Sequence, residues 1–176
     1  MFYRQENQEC PRPQGVSPRG DAILLLGSNV GRRVRRLREG LLLLSRKVDV
    51  ERVSRIYAGE PWGRHGQPWF LNMAVLGKCS LTPEDLLMFV KEVEAAAGRK
   101  PGGRWGPRDL DVDILLMGDK VVREPHLVIP HPGLPFRRFC LLPASEIAPS
   151  APVPPEGRTV RDLLEECKDP LEVIPI

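Results

Sequence analysis

Residues 110–117 read LDVDILLM, and this stretch decides the fold. Strand alternation puts Leu110, Val112, Ile114 and Leu116 on one face and Asp111 and Asp113 on the other. A strand apolar on one side needs partners, and the chain upstream supplies them. Directly before it, RKPGGRWGPR (99–108) holds too much glycine and proline to be regular. Ahead of that loop the sequence predicts a helix with clear ends. Thr82 is its N-cap, Pro83 takes the first helical position, and Glu84 and Asp85 suit the positive end. Leu86, Phe89, Val93 and Ala97 form its apolar stripe, and Gly98 stops it. Further upstream, WFLNMAVLG (69–77) predicts a strand, GEPWGRHGQP (59–68) a loop, and residues 50–58 another strand. Val34, Leu37, Leu41 and Leu44 recur at helical spacing within 32–47, and AILLLG (22–27) predicts the first strand. The order β-α-β-β-α-β predicts an α+β, ferredoxin-like sandwich, with both helices on one face of an antiparallel sheet and the other face free for ligands.

C-terminal additions follow. Gly118-Asp119 predicts a turn into a short hairpin partner at 120–122. The proline-rich tail reads as mostly irregular, with a last short helix beginning near Thr159. At the other end, residues 1–20 are polar, hold proline and glycine, and lack periodicity. They predict a flexible extension to a single domain spanning 21–176.

Composition excludes several classes. The 176 residues are 41% apolar and 28% charged, an ordinary globular mixture. No apolar run approaches the ~20 residues that cross a bilayer, and no signal peptide precedes the first strand. A cytoplasmic protein without membrane contact is the expectation. The four cysteines, Cys10, Cys79, Cys140 and Cys167, are scattered and predict reduced, mostly buried thiols. The net charge is only +3, but 20 of the 26 basic residues are arginine. Guanidinium groups suit a bidentate grip on phosphate, although a GC-rich genome gives the same bias.

The chemistry centres on Asp111 and Asp113. Two carboxylates ~6.8 Å apart on one strand face repel unless a cation joins them. Mg²⁺ fits, since it takes one or two carboxylates and completes its shell with water and phosphate oxygens. The same pattern also occurs on a solvated strand face. Arg99, Arg104 and Arg108, in the preceding loop, are the cations that a phosphate bridged to the acids would need. Trp105 among them offers a flat surface for a base, or plugs the loop onto the core. The loop itself reads as a mobile lid. On the strand at 69–77, Phe70 and Asn72 share a face, and a ring with an amide can stack on and hydrogen-bond a flat heterocycle.

Together these stretches resemble the 6-hydroxymethyl-7,8-dihydropterin pyrophosphokinase family. The resemblance rests on LLLGSNVG (24–31), Tyr57 with EPWG (60–63), QPWFLN (67–72), GRWGPRDLDVDIL (103–115), IPHP (129–132) and LLPASEIAP (141–149). It implies transfer of the β,γ-pyrophosphoryl group of ATP to the pterin hydroxymethyl oxygen, in folate biosynthesis. By the same resemblance Asp111 and Asp113 hold two Mg²⁺ ions, and Glu94, Arg99, Arg104, Trp105, Arg108, Ile114, His131 and Arg137 line the ATP site. Arg99 and Arg108 support the transfer. Phe70 and Phe139 sandwich the pterin, Asn72 hydrogen-bonds it, and Gly59, Glu60, Trp62 and Asp111 complete its pocket. Gly59 stands where the family often has Thr, and the lid loop is a residue shorter than in some members, which leaves open whether Lys100 takes the place of a second lid arginine.

Two other classes compete. A ferredoxin-like RNA-binding module would carry alternating sheet aromatics, whereas aromatics are 6% of this chain and no such string occurs. A transferase using the two aspartates to hold a sugar nucleotide generally needs a larger nucleotide-binding domain. The predicted partners are therefore small molecules, with no nucleic acid.

Overall fold

The structure, a computed structural model, describes residues 20–62, 66–98 and 108–176. Arg99, Lys100, Arg104, Trp105, Cys10 and the extension up to residue 19 lie outside the described residues.

The chain runs β1 (Gly20–Ser28), α1 (Arg33–Leu44), β2 (Val48–Val53), β3 (Tyr57–Gly59), β4 (Phe70–Cys79), α2 (Pro83–Ala96) and β5 (Asp111–Met117). It continues with β6 (Val122–Glu124), β7 (Leu127–Ile129), α3 (Arg138–Ile147), β8 (Pro152–Val153), β9 (Arg158–Thr159), α4 (Val160–Glu166) and β10 (Val173–Pro175). This is an α+β architecture on one six-stranded sheet. β1 lies at its centre between β4 and β5, β4 also pairs with β2 and β3, and β10 adds to β3. Every pairing in it is antiparallel. Among the described residues no helix is long and apolar enough to cross a membrane.

The second helix forms as its sequence dictates. Thr82 accepts a hydrogen bond from the Asp85 N–H, Pro83 follows, and Gly98 at φ +91° ends it. Leu86, Phe89, Val93 and Ala97 are buried against Leu24, Leu26, Val112 and Ile114. On α1 the buried stripe is Leu37, Gly40 and Leu44, and Val34 is exposed instead of joining it. Gly40 allows close approach, since a methyl there would lie 2.8 Å from a Leu110 methyl.

Several expectations are corrected. The strand read at 50–58 is two strands. Ser54 interrupts them, its N–H donating to the Ala74 carbonyl while its hydroxyl accepts from the Ala74 N–H, both at 2.9 Å. The hydroxyl replaces a ladder carbonyl and lets the chain re-enter as β3. The hairpin read at 120–122 does not fold back on β5; β6 pairs with β7. The tail is not irregular: α3 carries ten residues with Pro143 inside. Nor is the second sheet face free. Cys140, Leu141, Ala144 and Ile147 of α3, with Val160 and Leu163 of α4, cover Ile23, Leu25, Ala74, Leu115 and Leu116. Leu116 thus lies opposite the face that alternation assigns it. The register between β1 and β5 shifts at Ile23/Leu24, so Leu115 and Leu116 both turn toward α3.

Candidate active site

The uncovered end of that second face is a cavity. Asp111 and Asp113, Leu25 and Gly27, and Phe70 and Asn72 form its sheet side, from β5, β1 and β4 respectively. Glu60, Pro61 and Trp62 line it from the segment after β3, Arg137 and Phe139 from the start of α3, with Gln67, Arg108 and His131 completing it. The sheet register arranges the floor. Asp111 pairs with Gly27, Gly27 with Asn72 and Asn72 with Tyr57, one row across four strands.

Asp113 is the deeper carboxyl. Burial first, and then Asp111, push it up to about 7, so the free protein resists charging both acids. Arg108 Nη1 lies 2.9 Å from Asp111 Oδ1. Among the described residues no group of three or more His, Cys, Asp or Glu side chains could hold a metal. Two carboxylates in a water-accessible cavity nevertheless suit Mg²⁺, which draws its other ligands from phosphate and water.

Arg108, just ahead of β5, is held by a residue absent from the sequence-derived set. Asn29 is buried; its Oδ1 accepts from the Arg108 N–H at 2.7 Å and its N–H donates to the Arg108 carbonyl at 3.1 Å. Its Nδ2 donates to Gln67 Oε1 at 3.1 Å, which ties Gln67 and Arg108 together beside the cavity. Gly27 is likewise new: a methyl there would lie 3.0 Å from Asn72 Oδ1. Both belong to the GSN that ends the first apolar run, a signal visible in the sequence as a glycine inside a buried strand.

The heterocycle side carries a polar demand. Asn72 is buried, and among the described residues its Nδ2 has no hydrogen-bond partner. Such a donor costs roughly 1–3 kcal/mol until something accepts from it. A methyl on Gly59 would lie 3.7 Å from that nitrogen and 3.6 Å from Phe139 Cβ, so backbone borders the amide here. The Arg137 guanidinium stands 5.3 Å from the Trp62 ring centre and 5.9 Å from that of Phe139. His131 is held neutral. Its Nδ1 accepts from the Gly133 N–H at 3.1 Å, and burial, then Arg137, lower it to about 4.

Of the residues predicted from sequence, Glu60, Trp62, Phe70, Asn72, Arg108, Asp111, Asp113, His131, Arg137 and Phe139 meet in this cavity. Glu94, Ile114 and Gly59 do not line it, although Gly59 borders Phe139 and the Asn72 amide. Ile114 packs in the core beneath the helices. Glu94 projects from α2, accepts from the Val112 N–H at 2.9 Å between the two aspartates, and pairs with Lys91 at 3.0 Å. Burial, opposed by that backbone bond, pushes its carboxyl up to about 7.

Residues 23–149 match the family model described as 7,8-dihydro-6-hydroxymethylpterin-pyrophosphokinase. A 2-amino-4-hydroxy-6-hydroxymethyldihydropteridine pyrophosphokinase of Aquifex aeolicus is 42% identical over 71% of this chain and 78% of its own. The enzyme of the same name from Bacillus subtilis is 43% identical over 72% and 77%. In structure, a Plasmodium falciparum HPPK-DHPS chain aligns at a TM-score of 0.69 and 16% identity, over 88% of this chain and 44% of that longer one.

Proposed function

We infer the working of the site from one premise: the chain belongs to the 7,8-dihydro-6-hydroxymethylpterin-pyrophosphokinase family. Its reaction is pyrophosphoryl transfer to 6-hydroxymethyldihydropterin, in folate biosynthesis. ATP is the donor in our reading, and Asp111 and Asp113 hold two Mg²⁺ ions. The pterin lies between Phe70 and Phe139, with Asn72 on its polar edge and Gly59, Glu60 and Trp62 beside it. Arg108, His131 and Arg137 meet the phosphates, joined by Arg99, Arg104 and Trp105 of the lid. Glu94 acts from behind, fixing the backbone between the two aspartates. The sheet order β5-β1-β4-β2 supports a ferredoxin-like core, and 21–176 is the working domain.

One observation carries this reading: Asp111 and Asn72 flank Gly27 in a single row on one cavity floor. A metal-ligand carboxylate and a heterocycle-reading amide thus face one space with no side chain between them. The pterin hydroxyl oxygen attacks the β-phosphorus, the bond to the α,β-bridging oxygen breaks, and AMP departs with that oxygen. Bound Mg²⁺ would neutralise phosphate charge and hold the attacking and departing oxygens in line. The protein supplies the rest by position: Asn72 orients the ring, the aromatic pair excludes water, and the arginines take up charge. The helical cover over the second sheet face weighs against the RNA-binding alternative, which needs that face open.

Incubation with ATP, Mg²⁺ and 6-hydroxymethyl-7,8-dihydropterin, followed by nucleotide analysis, tests it. AMP is the expected product. ADP would instead mark a simple phosphoryl kinase, and no nucleotide product would reject the reading.

A further inference from the structure

Residues 169–176 lie beyond the stretch that the family model matches, yet they touch both side walls of the cavity. On one side Asp169, a buried residue, accepts from the Arg138 N–H with Oδ2 at 2.9 Å. That amide opens α3, whose N-cap Arg137 makes no side-chain cap bond of its own. Asp169 therefore supplies from a distance the acceptor and the negative charge that a helix start requires. Arg137 and Phe139, the two cavity residues of this wall, flank the capped amide. On the other side the Glu172 N–H donates to Glu60 Oε2 at 2.9 Å, while the Glu60 N–H donates to the Glu172 carbonyl at 3.1 Å. β10 then continues along β3, with Val173 opposite Gly59.

Two residues, Pro170 and Leu171, separate the two anchors, a covalent span of roughly 10 Å at most. Asp169 Oδ1 accepts from the Leu171 N–H at 3.2 Å, and Pro170 stiffens the same turn. The Glu60 wall and the Phe139 wall are thus joined by a short, rigid tie. Neither wall can move outward without breaking a hydrogen bond at its anchor.

We propose that the segment Asp169–Glu172 is a clasp that sets the spacing of the two pterin walls, with Asp169 as its positioning residue. The proposal rests on the pterin reading of the cavity. Its substrate is the flat heterocycle, so loosening the clasp weakens pterin binding most, and the nucleotide, which Arg108, His131 and the β5 carboxylates hold besides Arg137, loses less.

Three variants test this: Asp169→Ala, Asp169→Asn, and truncation after Leu171. Pterin dissociation constants are measured with Mg²⁺ and a non-hydrolysable ATP analogue, and the analogue's own affinity is measured separately. Asp169→Ala and the truncation should weaken pterin binding about tenfold and the analogue less than threefold. Asp169→Asn should fall between parent and Ala, because one amide oxygen replaces two acceptors. Equal losses for both ligands, or an unmoved pterin affinity, would overturn the clasp. If Asp169→Ala does not fold, the asparagine variant and the truncation decide by the same criterion. Asn72→Ala runs alongside. Weak pterin binding there with normal clasp variants rejects the clasp alone; normal binding there rejects the cavity assignment and the clasp with it.

Discussion

Asp111 and Asn72 stand on either side of Gly27, each paired with it in register across β1. Two strand spacings of about 4.8 Å put their backbones roughly 10 Å apart. Glycine leaves that interval open, which is why a substrate can reach from the carboxylate to the amide.

Gly27→Ala should therefore damage the site without unfolding the protein. The added methyl would lie 3.0 Å from Asn72 Oδ1 and 3.8 Å from Phe70 Cδ1, so the amide must shift by a few tenths of an ångström. Calorimetric titration should show pterin affinity reduced by about tenfold, roughly 1.4 kcal/mol, with ATP affinity retained.

Asn72→Ala removes a buried donor that has no partner among the described residues. It should cost about 1–3 kcal/mol of pterin binding and little of the free protein's melting temperature. A melting temperature that collapses while pterin affinity holds would make Asn72 a structural residue.

Asp113 gives the metal-free protein a pH dependence of known sign. Its folded carboxyl is raised from an ordinary 3.8 to about 7, so the folded state binds this proton more tightly than the unfolded state. That contribution is complete below pH ~4 and is lost as pH rises through 7. Asp113→Asn should match the parent near pH 4 and exceed it near pH 8, by on the order of 4 kcal/mol, in thermal melts with chelator. The same variant, and Asp111→Ala, should lose at least about a hundredfold in Mg²⁺-dependent turnover. Near-normal turnover of the double alanine variant would falsify the metal assignment.

Arg108 touches Asp111 in the free protein and meets phosphate during transfer in our reading. Arg108→Ala should slow the chemical step, on the order of a hundredfold, more than it weakens ATP binding. Single-turnover measurements decide this, since product release can mask chemistry in the steady state. Arg108→Lys should recover little, because a point charge does not reproduce the guanidinium fork.

What the sequence carried plainly was local. Thr82, Pro83 and Gly98 bound their helix by backbone chemistry alone, and the alternation at 110–114 sorted Asp111 and Asp113 from the core. What it hid was long-range. Pro143 has no N–H to give the Phe139 carbonyl, and a proline-dense tail argues against a helix. Cys140, Leu141, Ala144 and Ile147 nevertheless hold α3 together by burial on the sheet. Asn29 also escaped notice, because its partners Gln67 and Arg108 are 38 and 79 residues away. The cavity's chemistry was legible as residue types, but the walls that shape it come from segments whose pairing no local pattern announces.

The extra residue at Leu115 makes β5 two short strands in series rather than one. Upstream, two carboxylates face the cavity; downstream, Leu116 packs under α3 and α4 while Met117 turns to the core beneath α1 and α2. The two demands are uncoupled at that point. An engineer can therefore repack Leu116 while leaving the reactive half of the strand in register, and deleting Leu115 would leave Leu116 and Met117 on the faces they already occupy, at the cost of one buried leucine under α3.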